Sequence, residues 1–392
     1  MGAANTGMGT IQRWSHHWLV TRKATLSLLL VVALFSPFCS AQANPASFSD
    51  LASKATAARD ANELPGAIEL YRQALKLNSQ WSDGWWFLGS LQYTTGDYNG
   101  ARGALSHYLE LTPNAAPALA MRGLCEFEIG DYPSSLKDIE RALALGAANQ
   151  PRNEKILRYH EALLLTRTGR FEDALRSYAF FTHPEDSNPE LLLALGLAGL
   201  RTPLLPKELR LDQQELYVSA GKAAFDFMSR DYDTAHAEFQ RLFERVPPPV
   251  ANAHYLYGYL LYATDPDQAL IQFKKELEIN PTNSVAEVML AWIPLLQNNG
   301  ADALPYARKA VADDPTLSSA QLVLGRALTE TGEIKDGIEH LEKTEQMQPD
   351  NLEVHLALAK AYSKSGRKDD ARRERLLCLE MTKNDTTPAT HP

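Results

Sequence analysis

Three tyrosines offer the clearest recognition chemistry in this sequence. Tyr255, Tyr259 and Tyr262 are separated by four and then three residues, which places them on one stripe of a helix. A tyrosine ring joins a flat apolar body to a polar hydroxyl, and this combination suits a hydrated binding groove. The same stripe can also pack against a neighbouring helix, so the sequence leaves partner contact and core packing as alternatives.

Side chains that could catalyse a reaction or bind a metal are not grouped in this way. The sequence has no HExxH, no G-x-S-x-G and no phosphate-binding glycine loop. Acidic pairs such as Glu342/Glu345 have the spacing of a solvated helix face, and Cys125 and Cys378 are interpreted as buried apolar side chains. The histidines lack metal-ligand spacing: His107, His160, His183, His236, His254, His340 and His355. We therefore expect no enzymatic activity, no metal and no cofactor.

Residues that mark helix ends and helix contacts recur about every 34 positions along the chain. Proline cannot extend a helix, and four prolines stand just after helix-like segments, at Pro247, Pro281, Pro315 and Pro349. A large residue followed by a small one recurs at nearly the same interval, at Tyr257-Gly258, Leu290-Ala291, Leu324-Gly325 and Leu358-Ala359. Small residues let two helices approach closely, so each period predicts a pair of helices that must stack on its neighbours.

This pattern resembles the tetratricopeptide repeat family over roughly residues 47–385. Seven residues of the stretch 85–114 fall where that family has such side chains: Trp85, Leu88, Gly89, Gly96, Tyr98, Ala101 and Pro113. The resemblance implies an all-α fold, a right-handed superhelical solenoid of antiparallel helix pairs, with about nine repeats plus one degenerate half-repeat. The predicted units are 48–81, 82–115, 116–149, 155–188, 216–249, 250–283, 284–317, 318–351 and 352–385.

The half-repeat lies between residues 191 and 210. The stretch starts as an apolar first helix, but Pro203 and Pro206 prevent a second helix from following. Three leucines either cover the groove that the missing helix would fill or belong to a joint or a partner-binding loop: Leu204, Leu205 and Leu209. The sequence therefore predicts five segments: a signal peptide (1–43), an N-terminal array (48–201), an interruption (202–215), a C-terminal array (216–385) and a flexible tail (386–392).

The resemblance also implies where a partner would bind. In this family, the first helices line the concave face through the second, fifth, ninth and twelfth positions of each unit. Applied to this sequence, the resemblance implies that the first helices supply these candidate partner-binding residues: Trp86, Tyr93, Tyr159, Tyr217, Tyr255, Tyr259, Tyr262 and Trp292. Lys360 and Lys364, in the last unit, are interpreted mostly as a solvated face.

The N-terminus has the pattern of an export signal. Basic residues precede a twelve-residue apolar core at positions 24–35, and small residues at Ala41 and Ala43 suit cleavage after Ala43. Lipidation at Cys39 and an uncleaved anchor are the alternatives, but Phe38 and the short core disfavour them. The formal charge of −9 argues against nucleic-acid binding. We expect a periplasmic or secreted protein without stable membrane insertion after cleavage.

The function predicted from these features is that of a non-enzymatic scaffold. It would bind a protein or peptide in its concave groove and act in cell-envelope assembly or organisation. The alternatives are a receptor for a glycan or small ligand, since tyrosine and tryptophan also stack on sugar rings, and a self-associating structural subunit. The sequence does not identify the partner.

Overall fold

The computed structural model describes residues 47–147, 151–244 and 249–384. Over these ranges the chain forms nineteen α-helices and no β-strand, as the predicted all-α fold requires. None of the helices in the described ranges is both long and apolar enough to cross a bilayer. The predicted signal peptide (1–43), Pro247 and the predicted tail (386–392) lie outside the described residues.

Contacts between Cα atoms divide the chain into two compact units at residues 149/150. The first unit contains three consecutive helix pairs, α1 (Phe48–Asp60), α2 (Leu64–Leu77), α3 (Ser82–Thr94), α4 (Tyr98–Leu111), α5 (Ala116–Ile129) and α6 (Tyr132–Ala144). Short polar turns end one helix and begin the next. Gly130, at φ 83°, closes α5 in the left-handed region, and the Asp131 carboxylate accepts a hydrogen bond from the backbone N–H of Ser134 at the start of α6.

The second unit begins with the helices on either side of the interruption, α7 (Pro151–Arg167), α8 (Phe171–Tyr178), α9 (Pro189–Gly199), α10 (Gln214–Met228) and α11 (Tyr232–Phe243). Four regular pairs follow, α12 (Ala253–Leu261), α13 (Pro266–Ile279), α14 (Ser284–Leu296), α15 (Gly300–Asp313), α16 (Ser318–Thr331), α17 (Ile334–Met347), α18 (Leu352–Lys364) and α19 (Lys368–Asn384). Each pair of the last three repeats lies within the unit predicted for it, whereas α7 begins four residues before the predicted start at 155.

Small residues bring the two helices of a repeat together. A Cβ atom on Gly89 would lie 2.8 Å from Leu105 Cγ, and one on Gly325 would lie 2.6 Å from Leu341 Cγ. Ala101 of α4 and Ala303 of α15 are fully buried at the predicted small position of the second helix. The large–small pairing in the sequence therefore corresponds to close helix packing in both units.

The interruption lies inside the second unit and not at the division between the units. No second helix follows α9 directly. Two 3₁₀ turns, Pro206–Glu208 and Leu211–Gln213, lead instead to α10, which packs against α9. Leu205 and Leu209 are buried, and Leu209 packs with Leu193 and Leu197 of α9. This burial favours the alternative in which the leucines cover the groove.

Limited proteolysis tests this packing. Trypsin is expected to cut after Arg210 before it cuts after Arg201, because Arg210 and Leu211 are exposed, whereas Arg201 is largely buried and paired with Glu172. Mass spectrometry of the early fragments would locate the cut, and Arg210→Gln should remove it. A first cut after Arg201 would show that the covering segment opens in solution.

Candidate binding surface

The first helices of the last three repeats place three side chains at the same position of successive units. Trp292 of α14, Arg326 of α16 and Lys360 of α18 are each 34 residues apart. The Arg326 guanidinium lies over the Trp292 ring, 4.7 Å from its centroid, and donates to Glu353 Oε1 at 2.8 Å. Stacking on the indole and pairing with the carboxylate hold the guanidinium in place.

A small cavity of about 120 Å³ opens between α16 and α18. Its walls include Arg326, Glu353, Leu356 and Lys360, and Lys360 Nζ lies 2.9 Å from Glu330 Oε1. Leu356 is 47% exposed, so an apolar side chain faces solvent between opposite charges. Pockets for small organic ligands usually measure about 300–1,000 Å³, so this cavity suits one side chain of a larger partner. We call Trp292, Arg326, Glu353, Leu356 and Lys360 the C-terminal surface.

The tyrosine stripe exists, but its first member is not available to a partner. Tyr255 is 2% exposed, and its hydroxyl donates to Glu172 Oε1 at 2.5 Å. Its ring lies 5.6 Å from that of Phe273. Burial raises the pKa of the Tyr255 phenol well above its ordinary value. The interpretation of Tyr255 as a groove residue is corrected, because this side chain belongs to the core between α12, α13 and α8.

Arg201 completes the contact that buries Tyr255. Its guanidinium lies 4.8 Å from the ring centroid of Phe171 and 5.1 Å from that of Tyr255, and it is paired with Glu172. Arg201 adopts a φ of 55°, an uncommon value for a residue with a Cβ atom. The end of α9, the start of α8 and α12 are thus joined by one charged and aromatic cluster.

Tyr259 and Tyr262 continue the stripe and are only half-buried. Their ring centroids are 5.5 Å apart, and both side chains pack against the core cluster that includes Leu290 and Ile293 of α14. Burial raises the pKa of the Tyr259 phenol to about 12, so the hydroxyl stays protonated and can donate at neutral pH. These two residues remain candidates for partner contact.

The other predicted residues are half-buried side chains with partners in their own units. In the first unit, Trp86 lies 5.6 Å from Tyr108, and Tyr93 lies 5.6 Å from Tyr98, measured between ring centroids. In the second unit, the Tyr159 hydroxyl donates to Glu190 Oε1 at 3.2 Å, and the Tyr217 hydroxyl is 3.1 Å from Thr202 Oγ1. Their role in binding stays a prediction.

Arg326 and Leu356 were not among the residues predicted from the sequence, and Lys360, which was interpreted as part of a solvated face, is exposed. The 34-residue interval from Trp292 to Arg326 and Lys360 could have identified two of these residues. Leu356 stands at the fifth position of unit 352–385, one of the positions that line the concave face in this family, but the sequence does not show whether a leucine there is covered by a neighbouring helix. Only the positions of Arg326 and Glu353 around it show that the side chain is left open.

Comparison with known proteins links this arrangement to a repeat family. A model of the tetratricopeptide repeat matches residues 53–116, 95–153 and 227–284, and a second model of that repeat matches residues 332–374. Together the matches span more than half of the 392 residues. No curated protein matches the chain.

Several solved structures resemble the chain at low sequence identity. Yeast Tom70 is 17% identical over 85% of this chain and 76% of its own, with a TM-score of 0.36. A MamA structure is 18% identical over 42% of this chain and 98% of its own, with a TM-score of 0.36. A tetratricopeptide repeat protein from Parabacteroides merdae is 15% identical over 80% of this chain and 98% of its own, with a TM-score of 0.31.

Proposed function

Because this chain belongs to the tetratricopeptide repeat family, we propose that it is a non-enzymatic scaffold that binds a protein or peptide partner at the C-terminal surface. Repeat arrays of stacked helix pairs commonly offer extended binding surfaces of this kind. The observation that carries the proposal is the exposed Leu356 beside the ordered Arg326–Glu353 pair and the half-buried Trp292.

The chemistry of the C-terminal surface favours a peptide. Trp292 and Leu356 supply apolar contact, Arg326 and Lys360 supply donors, and Glu353 accepts hydrogen bonds. Interfaces commonly bind through a few such anchors, especially tryptophan and arginine, inside a polar rim. The small cavity accepts one side chain, while the flanking charges pair with the partner's backbone or its charged groups.

We place this activity at the cell envelope. The support is the signal-peptide pattern of residues 1–43, whose apolar core is too short to span a bilayer. In this proposal the protein is exported, acts in the periplasm or outside the cell, and helps to assemble or organise envelope components. Tyr259 and Tyr262 would extend the same contact along α12.

Leu356→Asp tests the proposed surface. Peptides selected on the purified wild-type protein from a displayed random library should bind the variant at least about tenfold more weakly, because the charge enters the apolar part of the site. Leu376→Asp is the matched control, since Leu376 is 52% exposed on α19, the second helix of the same repeat. Its peptide affinities should stay within about threefold of the wild-type values.

Two results would count against the proposal. Equal affinities of the two variants would move the binding site away from the C-terminal surface. Retention of envelope polysaccharide by the immobilised wild-type protein, with no selectable peptide, would favour the glycan-binding alternative. Circular dichroism of both variants would confirm that they remain folded.

A further inference from the structure

Three ligand-type side chains from three helices meet in the last repeats of the second unit. They are Glu345 of α17, His355 of α18 and Glu374 of α19, and one ligand atom from each lies within 4.8 Å of the others. His355 and Glu374 are buried, whereas Glu345 is half-buried. These residues are ten and nineteen positions apart and form no ligand motif, so the sequence alone predicted no metal site.

The hydrogen bonds of His355 fix which ring nitrogen is available. Its Nε2 lies 2.8 Å from the carbonyl oxygen of Pro349. A carbonyl oxygen only accepts hydrogen bonds, so Nε2 carries a hydrogen and donates it. In a neutral imidazole the lone pair is then on Nδ1, and Nδ1 faces Glu374 Oε2 at 2.7 Å.

Two lone-pair atoms facing each other at this distance require a cation between them. One solution is a second proton, which makes His355 and Glu374 an ion pair. The other solution is a metal ion that uses both atoms as ligands. The second solution is compatible with the remaining hydrogen bond of the ring, because histidines that bind metals usually donate their other N–H to a backbone carbonyl or carboxylate, as His355 does to Pro349.

We propose that Glu345, His355 and Glu374 form a binding site for a divalent transition-metal ion. His355 Nδ1 and one carboxylate oxygen from each glutamate are the protein ligands, and water fills the remaining positions. One imidazole with two carboxylates suits Zn²⁺ or Mn²⁺ better than Ca²⁺, which prefers six to eight oxygen ligands.

Binding requires a local rearrangement of these side chains. Two ligands at about 2.0–2.2 Å from a tetrahedral ion lie roughly 3.3–3.5 Å from each other, so the 2.7 Å contact between His355 and Glu374 has to lengthen. The half-buried Glu345 gives the ion a route from solvent. Arg373 Nε donates to Glu374 Oε1 at 3.2 Å, which leaves Oε2 for the metal. The ion would cross-link α17, α18 and α19, the last three helices of the fold.

Zinc titration of the purified, tag-free protein tests the site. The wild-type protein should bind one Zn²⁺ by isothermal titration calorimetry, and its melting temperature should rise with zinc concentration. Glu345→Gln keeps the size of the side chain at the most accessible ligand and should weaken zinc binding at least about tenfold. Glu339→Gln, an exposed position on the same helix α17, is the control and should bind zinc as the wild type does.

The opposite results would overturn the proposal. A melting temperature that does not respond to zinc would show that a proton, and not a metal, occupies the contact between His355 and Glu374. Equal zinc affinity of the Glu345→Gln and Glu339→Gln variants would show adventitious binding elsewhere on the surface. Because Glu345 is half-buried, its substitution leaves the buried pair in place, and loss of zinc binding is separable from loss of folding.

Discussion

Replacement of Gly221 by alanine is expected to lower the free energy of unfolding by about 3–5 kcal/mol or to prevent folding of the second unit. A Cβ atom on Gly221 of α10 would overlap the backbone carbonyl of Leu192 in α9, and a Cβ atom on Gly196 of α9 would overlap the carbonyl of Tyr217 in α10. Both clashes are with backbone atoms. They cannot be relieved by rotation of a side chain, so the two helices would have to move apart.

Two other glycines provide the control for this substitution. Gly66 of α2 and Gly103 of α4 are also helical, but nothing lies within 4 Å of a Cβ atom built on either residue. Alanine there should raise the free energy of unfolding by about 0.5–1 kcal/mol, because glycine is the poorer helix former. Chemical denaturation followed by far-ultraviolet circular dichroism would measure all three variants. A Gly221→Ala variant as stable as the wild type would contradict the close approach of α9 and α10.

The second large effect is expected from Glu126→Gln in the first unit. Glu126 is 6% exposed, and its Oε2 is buried without a hydrogen-bond partner in the described structure. The nearby Arg122 pairs instead with Asp138, at 2.5 Å and 2.9 Å, and its Nε is 3.9 Å from Glu126. Burial, and then the negative charge of Asp138, raises the pKa of the Glu126 carboxyl to about 7.

The direction of the pH dependence follows from this shift. The folded protein binds the Glu126 proton more tightly than the unfolded chain, whose reference pKa is 4.5. The associated stabilisation is therefore fully present below pH 4.5 and is lost as the pH rises through about 7. At pH 8 the ionised carboxylate costs up to about 3 kcal/mol, so Glu126→Gln should be more stable than the wild type by as much as this amount. At pH 4.5 the two proteins should differ little.

The neighbouring repeat supports the choice of glutamine. Gln92 stands 34 residues before Glu126 and is buried at the same position of α3, where its amide donates to Asp97 at 2.8 Å. Glu128→Gln is the control, because Glu128 is exposed on the same helix as Glu126. Denaturation midpoints between pH 4.5 and 8 would compare the three proteins. If the Glu126→Gln and wild-type curves stay parallel over this range, the carboxylate is not titrating as described.

Several features of this protein follow from the sequence alone because they depend on local spacing. Prolines about every 34 residues mark where second helices end, and alternating large and small residues predict where two adjacent helices meet. A helix pair contains its own stop signals and the small residues that let its two helices pack closely. The all-α repeat fold and the helix pairs of the last three repeats could therefore be predicted, as could the break at Pro203 and Pro206.

Whether an individual side chain is buried or exposed depends on contacts between residues that are distant in the sequence. Tyr255 is buried by Glu172, which precedes it by 83 residues, and Gly221 is required because Leu192 of another helix lies against it. Periodicity shows which side of a helix a residue occupies, but not which neighbour covers that side. The open Leu356, the buried Tyr255 and the meeting of Glu345, His355 and Glu374 depend on how successive helices stack, and only the tertiary structure specifies this stacking.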